Sequence, residues 1–288
     1  MSRPAGTLVL GVDFTSAPCV RKPITAAVGR LSRVRGTPVY RLGEVRGLVT
    51  LEDFSTFLVD EALGVDGWIG GFDLPFGQPR PLIEHERWPT DWPVFVRLYC
   101  GLPRVRLRGV FKRWCDARPA GDKFAWRRAD RPAGSSPAMR WTNPPVAWMM
   151  HAGIGRMLAA GLVFPAHRHP PSRRTRAARI ALEAYPAFTA RRVVSGSYKS
   201  DTPAKQTRDR AANRAAILAA LECGAAGLDP VLSLSAAWRR RIVGDGAGDL
   251  LDAVICALQA AHAAARPRFG LPRDLDPLEG WIAAVPAG

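Results

Sequence analysis

The chain has 288 residues and a formal net charge of +16, and 47% of its residues are hydrophobic. This composition is typical of a globular protein with a substantial core, and no apolar run is long enough to span a bilayer, which argues against a membrane partner. The first residues lead into strand-like sequence without the apolar segment of a signal peptide, so we expect a cytoplasmic protein. The five cysteines are scattered and form no CxxC pair, which argues against a structural zinc site or a disulfide framework.

The first part of the chain predicts four strands and one helix. Three short strand-like segments separated by turns are consistent with an antiparallel meander, at Thr7–Phe14, Thr25–Leu31 and Pro38–Glu44. The apolar period then becomes helical between Thr50, the expected N-cap, and Gly64, the expected end of the helix. The strand Trp68–Asp73 follows, and a strand–helix–strand connection predicts a parallel pair.

The pattern weakens after this strand. Proline, arginine and tryptophan dominate from Gln78 to Arg140, and we interpret residues 78–140 as an insertion of short helices and mobile basic loops. Beyond it the sequence predicts a helix near Pro145–Ala160, a strand at Ala177–Tyr185, and alanine-rich helices at Ala204–Cys223 and Asp249–Ala265. We expect residues 1–288 to form a single α/β domain.

Positive charge is concentrated in two places. Between residues 101 and 150, eleven Lys or Arg residues stand against three Asp or Glu residues, a net charge of +8. A second cluster comprises Arg168, Arg173, Arg174, Arg176 and Arg179. Arginine matches phosphate geometry, and nearby tryptophans could stack on bases (Trp114, Trp126 and Trp141), so nucleic acid is the expected partner. An equally weighted alternative is that the arginines reflect genome composition and lie on a solvated surface.

Acidic residues stand at the ends of several predicted elements. Asp13 and Asp73 each end an apolar strand, which indicates a place where two strand ends meet. Glu183 ends another apolar stretch, and Asp249 and Asp252 open the last helix on one face. Carboxylates brought together raise one another's pKa, and a divalent cation removes that penalty. Two Mg²⁺ or Mn²⁺ ions about 3.5–4 Å apart can generate hydroxide and stabilise the leaving oxygen in phosphodiester hydrolysis.

Each of these residues also has a simpler structural explanation. Asp13 and Asp73 could be turn residues that accept hydrogen bonds from backbone amides. Asp249 could be the N-cap of its helix, with Asp252 completing a capping-box-like arrangement. Glu183 could pair with a nearby arginine. Sequence spacing alone does not show that acids so far apart converge.

Three basic residues are candidates for binding a scissile phosphate. Arg21 and Lys22 lie in the loop after the first strand, where a solvated turn is the alternative. Lys199 lies in a short polar segment, where an ordinary surface lysine is the alternative.

Six motifs occur together in a particular order: Gly11-Val12-Asp13-Phe14, Gly71-Phe72-Asp73-Leu74-Pro75-Phe76-Gly77, Trp141-Thr142-Asn143-Pro144-Pro145, Glu183-Ala184-Tyr185-Pro186, Asp249-Leu250-Leu251-Asp252-Ala253 and Glu279-Gly280-Trp281-Ile282. In this order the chain resembles domain-of-unknown-function family 429, a family of predicted nucleases with a ribonuclease-H-like fold. The resemblance covers most of the chain.

The resemblance implies a mixed five-stranded sheet of order 3-2-1-4-5, flanked by helices. Asp13 would lie on the central first strand and Asp73 at the end of the neighbouring fourth strand. The Asp-x-x-Asp pair is similar to that of Holliday-junction resolvases, which cut DNA with a metal-bound acidic cluster. The resemblance therefore implies catalytic and metal-binding roles for Asp13, Asp73, Glu183 and Asp252, with Asp249 as a further metal ligand. The long insertion has no counterpart in minimal ribonuclease H domains, so the choice of DNA or RNA is not inherited.

Two other functions remain open at this point. An actin-like, ATP-dependent phosphotransferase is indicated faintly by Gly11–Ser16 and by the glycine-rich segment Gly244–Gly248, although such kinases duplicate the domain and one copy is present here. A nucleic-acid-binding protein with a vestigial acidic site is the other alternative, and it would bind in a salt-sensitive manner without cleavage.

Overall fold

The computed structural model describes residues 6–63, 67–169 and 178–287. Within these ranges the chain is an α/β protein whose six strands form one mixed sheet of order β5-β4-β1-β2-β3-β6. The strands are β1 Thr7–Asp13, β2 Ile24–Val34, β3 Thr37–Leu48, β4 Trp68–Asp73, β5 Arg179–Glu183 and β6 Val231–Ser233. The β1–β2 and β2–β3 pairs are antiparallel, whereas β1–β4, β4–β5 and β3–β6 are parallel.

The sheet differs from the predicted one at its edge. The meander of β1 to β3 and the parallel pairing of β1 with β4 are confirmed. The expected order 3-2-1-4-5 becomes 6-3-2-1-4-5, because β6 pairs with β3 and makes the sheet six-stranded. This strand has three residues, too few for an alternating pattern to be recognised.

Ten α-helices surround the sheet in the described residues. They are α1 Leu51–Val59, α2 Arg80–His85, α3 Trp92–Gly101, α4 Arg104–Asp116, α5 Asp130–Ala133, α6 Val146–Ala159, α7 Pro186–Ala190, α8 Arg208–Cys223, α9 Ala236–Gly244 and α10 Asp249–Ala264. Short 3-10 turns occupy Glu61–Leu63, Pro165–His167, Pro203–Lys205 and Pro267–Gly270. None of the described helices is both long and apolar enough to cross a bilayer.

The boundaries of two predicted helices shift for local reasons. Thr50 is the N-cap of α1 as expected, since its hydroxyl accepts a hydrogen bond from the Asp53 amide at 2.9 Å. The helix ends at Val59, and the predicted end at Gly64 lies outside the described residues. Helix α8 begins at Arg208 rather than Ala204, because Thr207 caps it and a 3-10 turn precedes it.

The short helices predicted for the insertion are present. Residues 78–140 contain α2, α3, α4 and α5. Apolar side chains of this segment, including Leu82, Phe95 and Phe111, are buried in the same cluster as Leu10 of β1 and Phe72 of β4. The insertion therefore shares the core that covers one face of the sheet.

The tryptophans proposed to stack on bases belong largely to this core. Trp114 is buried, and Trp141 is half-buried with its ring 5.8 Å from that of Phe111. Trp126 is also half-buried, beneath the guanidinium of Arg131. In the second basic cluster, Arg173, Arg174 and Arg176 lie outside the described residues, as does the predicted strand start at Ala177.

Helix α10 packs on the opposite face of the sheet and approaches it unusually closely. Its residues from Leu251 to Ala263 are all buried. A Cβ atom on Gly11 would lie 2.0 Å from the carbonyl oxygen of Ala253, and one on Gly71 would lie 2.2 Å from that of Cys256. The two glycines are register partners on β1 and β4, so the helix backbone contacts the sheet backbone at a single crossing point.

We predict that Gly11→Ala lowers the free energy of unfolding by about 1–3 kcal/mol or more, because the added methyl group forces α10 away from the sheet. Gly101→Ala is the matched control, since nothing lies within 4 Å of a Cβ atom there. Urea denaturation measures both variants, and equal midpoints for the two would contradict the close crossing.

Candidate functional site

Asp13 and Asp73 lie side by side at the carboxyl ends of β1 and β4. They are register partners on neighbouring parallel strands, whose spacing is about 4.8 Å. Each lies two residues after the glycine that contacts α10, so both side chains point to the face covered by that helix. The predicted meeting of two strand ends is therefore confirmed.

Neither carboxylate has a conventional partner. Both side chains are half-buried, and in the described part of the chain no residue donates a hydrogen bond to them. Burial, together with the neighbouring charge of Asp252, raises the pKa of Asp13 well above its usual value and that of Asp73 to about 7, although the ammonium of Lys199 opposes both shifts. The turn-residue explanation is not supported, because no described backbone amide satisfies either side chain.

Asp252 is fully buried below this pair and has two partners. The hydroxyl of Tyr198 donates a hydrogen bond to its Oδ1 atom at 2.6 Å, and the ammonium of Lys199 donates to its Oδ2 atom. Asp252 belongs to the first turn of α10, and its amide donates to the carbonyl of Gly248 at 2.9 Å. The predicted metal ligand is thus held in a buried ion pair, and it takes no part in a capping box.

Asp249 is the first residue of α10 and lines the cleft above Asp252. The N-cap is Gly248, with φ of 80°, so the interpretation of Asp249 as the N-cap is wrong. The capping role falls to Asp245, whose carboxylate accepts hydrogen bonds from the amides of Ala247 and Leu250. Burial and the charge of Asp245 raise the pKa of Asp249, while Lys22 opposes this shift.

Lys199 is the positive centre of the cluster. Burial alone would lower the pKa of its ammonium, but the carboxylates of Asp252 and Asp13 raise it well above its ordinary value. The side chain lines the cleft, as a phosphate-binding residue must, yet its strongest contact is with Asp252. An ordinary surface lysine would not be held in this way.

Glu183 is paired with an arginine. Both side chains are almost fully buried, at 4% exposure for Glu183 and 2% for Arg127, and the guanidinium donates to the two carboxylate oxygens at 2.6 and 2.8 Å. The amide of Phe76 donates to the same carboxylate at 3.0 Å. Arg127 also pairs with the buried Asp130. The arginine-pairing explanation of Glu183 is the one that the structure shows, and these contacts do not support a role as a metal ligand.

A cleft of about 470 Å³ collects most of the predicted residues. Charged side chains line it, those of Asp13, Asp73, Asp249, Glu183, Lys22 and Lys199. Residues of two predicted motifs also line it, among them Pro144, Pro145, Tyr185 and Pro186.

The remaining predicted substrate-binding residues differ in position. Lys22 lines the cleft and forms an ion pair with Asp201 at its rim. Arg21 is exposed in the adjacent turn and does not line the cleft, so a role in holding the scissile phosphate directly is not supported.

The glycine-rich segment Gly244–Gly248 does not form an open phosphate-binding loop. A Cβ atom on Gly246 would lie 2.0 Å from the side-chain oxygen of Gln206, and Gly248 packs against the side chain of Lys199. The carbonyl of Gly246 accepts a hydrogen bond from Ser200. Gly246 and Gly248 are therefore explained by close packing against Gln206 and Lys199.

The residues present fit a cation that takes few protein ligands. Among the described residues, no group of three or more His, Cys, Asp or Glu side chains is arranged around one ion position. Mg²⁺ is commonly held by one or two carboxylates and completes its octahedral shell with water and substrate oxygens. Asp13 and Asp73 provide two such carboxylates on neighbouring strands, and a bound cation would neutralise the repulsion between them.

Comparison of the chain with protein-family models, curated proteins and solved structures finds no match.

We predict that Arg127→Ala lowers the free energy of unfolding by about 3–5 kcal/mol, because it leaves the buried carboxylates of Glu183 and Asp130 uncompensated. Arg128→Ala is the matched control and is expected to cost less than about 1 kcal/mol, since its ion pair with Asp274 is exposed. Chemical denaturation of both variants tests the contrast, and a small loss for Arg127→Ala would show that the buried network is not essential.

We predict that Asp73→Asn stabilises the protein increasingly between pH 4 and pH 8. The folded state binds the proton of Asp73 up to a pKa of about 7, whereas the unfolded chain releases it near pH 4, so wild-type stability falls as pH rises through this window. Asparagine removes that loss. The melting temperatures of Asp73→Asn and of the wild type should therefore diverge across the range. A melting temperature for Asp73→Asn below that of the wild type at pH 8 would refute the assignment.

Proposed function

We propose that the chain is a ribonuclease-H-like nuclease that hydrolyses phosphodiester bonds of DNA or RNA with Mg²⁺ or Mn²⁺, the activity implied by the resemblance to domain-of-unknown-function family 429. One observation carries the proposal. Two half-buried aspartates, Asp13 and Asp73, meet at neighbouring strand ends without a described hydrogen-bond donor and line a cleft. The chain that surrounds them has a net charge of +16, which favours a polyanionic substrate.

The side chains divide between holding a cation and positioning its surroundings. Asp13 and Asp73 would hold the cation, and Asp249 at the start of α10 is a further carboxylate that lines the same cleft. When bound, such a cation lowers the pKa of a water molecule and neutralises charge on the leaving oxygen. Asp252 fixes the ammonium of Lys199 inside the cleft, where it would contact a substrate phosphate, and Lys22 would contact the same backbone at the rim.

The paired acids support the cleft rather than the cation. Arg127 connects Glu183 on β5 with Asp130 on α5, so the insertion and the sheet are joined beside the cleft. Arg127 also donates to the carbonyl of Glu279, within the last predicted motif. This network would hold the insertion in a fixed position relative to the sheet that carries the two aspartates.

Purified protein should cleave labelled single-stranded DNA, duplex DNA or RNA in the presence of Mg²⁺ or Mn²⁺. Asp13→Asn and Asp73→Asn should each reduce the rate by about 100-fold or more, since a correctly held cation contributes several kcal/mol to transition-state stabilisation. Glu52→Gln removes one carboxylate from the exposed surface of α1, away from the residues that line the cleft, and should retain full activity. Cleavage that persists in excess chelator, or in Asp13→Asn, would exclude this mechanism.

Cation binding provides a readout that does not depend on activity. Mn²⁺ should raise the melting temperature of the wild type at pH 8 and have little effect at pH 5.5, because Asp73 is protonated below its pKa of about 7. Asp13→Asn should lose most of the shift. Salt-sensitive nucleic-acid binding with neither a Mn²⁺ shift nor cleavage would instead establish a non-catalytic binding protein.

A further inference from the structure

Helix α4 presents one strongly basic surface. Its exposed face carries Arg104, Arg106, Arg108, Lys112 and Arg113, which we call the α4 basic face. The opposite face is buried in the core through Leu107, Val110, Phe111 and Trp114. The apolar side of this helix is therefore already occupied and is not available to insert into a lipid surface.

Most of this charge is not neutralised by the protein. The helix has a single acidic residue, Asp116, which pairs with Lys112 at 2.9 Å, and Arg113 lies 3.7 Å from Glu86. No carboxylate of a described residue lies within 4 Å of the guanidinium groups of Arg104, Arg106 or Arg108. Arg104 and Arg108 are four residues apart on one side of the helix, so their charges repel one another, and an external anion would relieve that repulsion.

The α4 basic face begins at the edge of the acidic cleft. The guanidinium of Arg104 donates to the carbonyl oxygen of Ser16 at 3.4 Å and lies over the ring of Trp148. Ser16 itself lines the cleft and belongs to the loop that follows β1. The same loop carries Lys22 in the cleft and Arg21 exposed beside it. Positive charge therefore continues from the cleft, through this loop, to the helix.

The spacing along α4 suits a nucleic-acid backbone. Arg104, Arg108 and Lys112 follow one another at four-residue intervals and so lie on one side of the helix, about 6 Å apart along its axis. Each interval corresponds to about two nucleotide steps of one DNA strand, at about 3.4 Å per step. Arginine also offers the bidentate geometry that phosphate oxygens require.

Building on the proposed function, we infer that the α4 basic face binds the sugar–phosphate backbone of the substrate outside the cleft, on one side of the phosphate that is cleaved. Contacts of this kind fix the register of the strand and carry no base specificity. Arg21 would serve as the intermediate contact between the helix and the cleft, which gives the exposed position of this residue a role.

The test combines neutralisation of α4 with a matched control. The test variant is R104Q/R108Q/K112Q, which neutralises the three residues that share one side of the helix. The control variant R33Q/R35Q/R41Q removes the same charge from three exposed arginines at the β2–β3 hairpin end of the sheet, where no described carboxylate lies within 4 Å of them. Residue pairing along β1 and β2 puts this hairpin at the opposite end of the strands from Asp13.

Fluorescence anisotropy in EDTA measures binding to labelled 20-nucleotide DNA and RNA, single-stranded and duplex, without cleavage. The α4 variant should bind at least about ten-fold more weakly at 0.1 M salt and lose about 2–3 from the slope of log affinity against log salt, as three phosphate contacts require. The control variant should stay within about two-fold of the wild type. Equal losses in the two variants, or none in the α4 variant, would overturn the inference.

Two further arms separate this inference from the proposed function. Weaker binding by the α4 variant in a protein that never cleaves would support the basic face and reject the nuclease. Cleavage by the α4 variant with wild-type kcat/KM would support the nuclease and reject the basic face as a substrate-binding surface. Poly-glutamate is the competitor that tests for an acidic protein partner. If it competes as well as DNA at equal charge, and binds the α4 variant more weakly than the wild type, the surface binds an acidic protein and the inference of a nucleic-acid partner is overturned.

Discussion

The backbone contact between α10 and the paired strands β1 and β4 determines the geometry of everything around it. Gly11 and Gly71 allow the carbonyl groups of Ala253 and Cys256 to lie where any side chain would collide. Because side chains alternate along a strand, Asp13 and Asp73, two residues beyond the glycines, must point toward the beginning of the same helix. Asp252 immediately precedes the residue that contacts Gly11. Close packing and clustering of acids therefore have a single cause.

Clustered carboxylates repel one another, and the acids of the cluster differ in whether the chain itself supplies a partner that offsets this repulsion. Asp252 and Glu183 lie deepest, and each receives a cation and a second donor from within the chain. Buried ion pairs of this kind contribute little net stability, and their main effect is to fix a particular arrangement. Asp13 and Asp73 lie at the surface of the cluster, and the described residues leave them without a donor. The division between paired and unpaired acids follows depth, which is what a site for an exchangeable cation requires.

The position of Asp13 beside Asp73 on a neighbouring strand followed from the resemblance and not from spacing. Local periodicity was enough to predict the meander, α1 and β4, because those features depend on neighbouring residues. It was not enough for β6, which is too short, or for α2 to α5, whose apolar residues are interrupted by arginine and proline. Local periodicity could not predict which side chains pair with Glu183 and Asp252, since those partners lie 56 and 53–54 residues away along the chain, respectively. Arg127 stood in a segment interpreted as loop, and no spacing rule distinguishes Tyr198 or Lys199 from surface residues. Pairings between distant elements require coordinates.

The abundance of arginine does not by itself separate a binding surface from a compositional bias. Arg33, Arg35 and Arg41 are as exposed as the arginines of α4, so charge and exposure occur in both places. Position is what distinguishes them. The α4 basic face belongs to a segment whose apolar residues share the core with β1 and β4, and its first arginine contacts the loop that enters the acidic cleft. A rigid connection between a phosphate-binding surface and the two aspartates would keep a bound strand in one register, whereas charge at the distant hairpin would only increase the general attraction for polyanions.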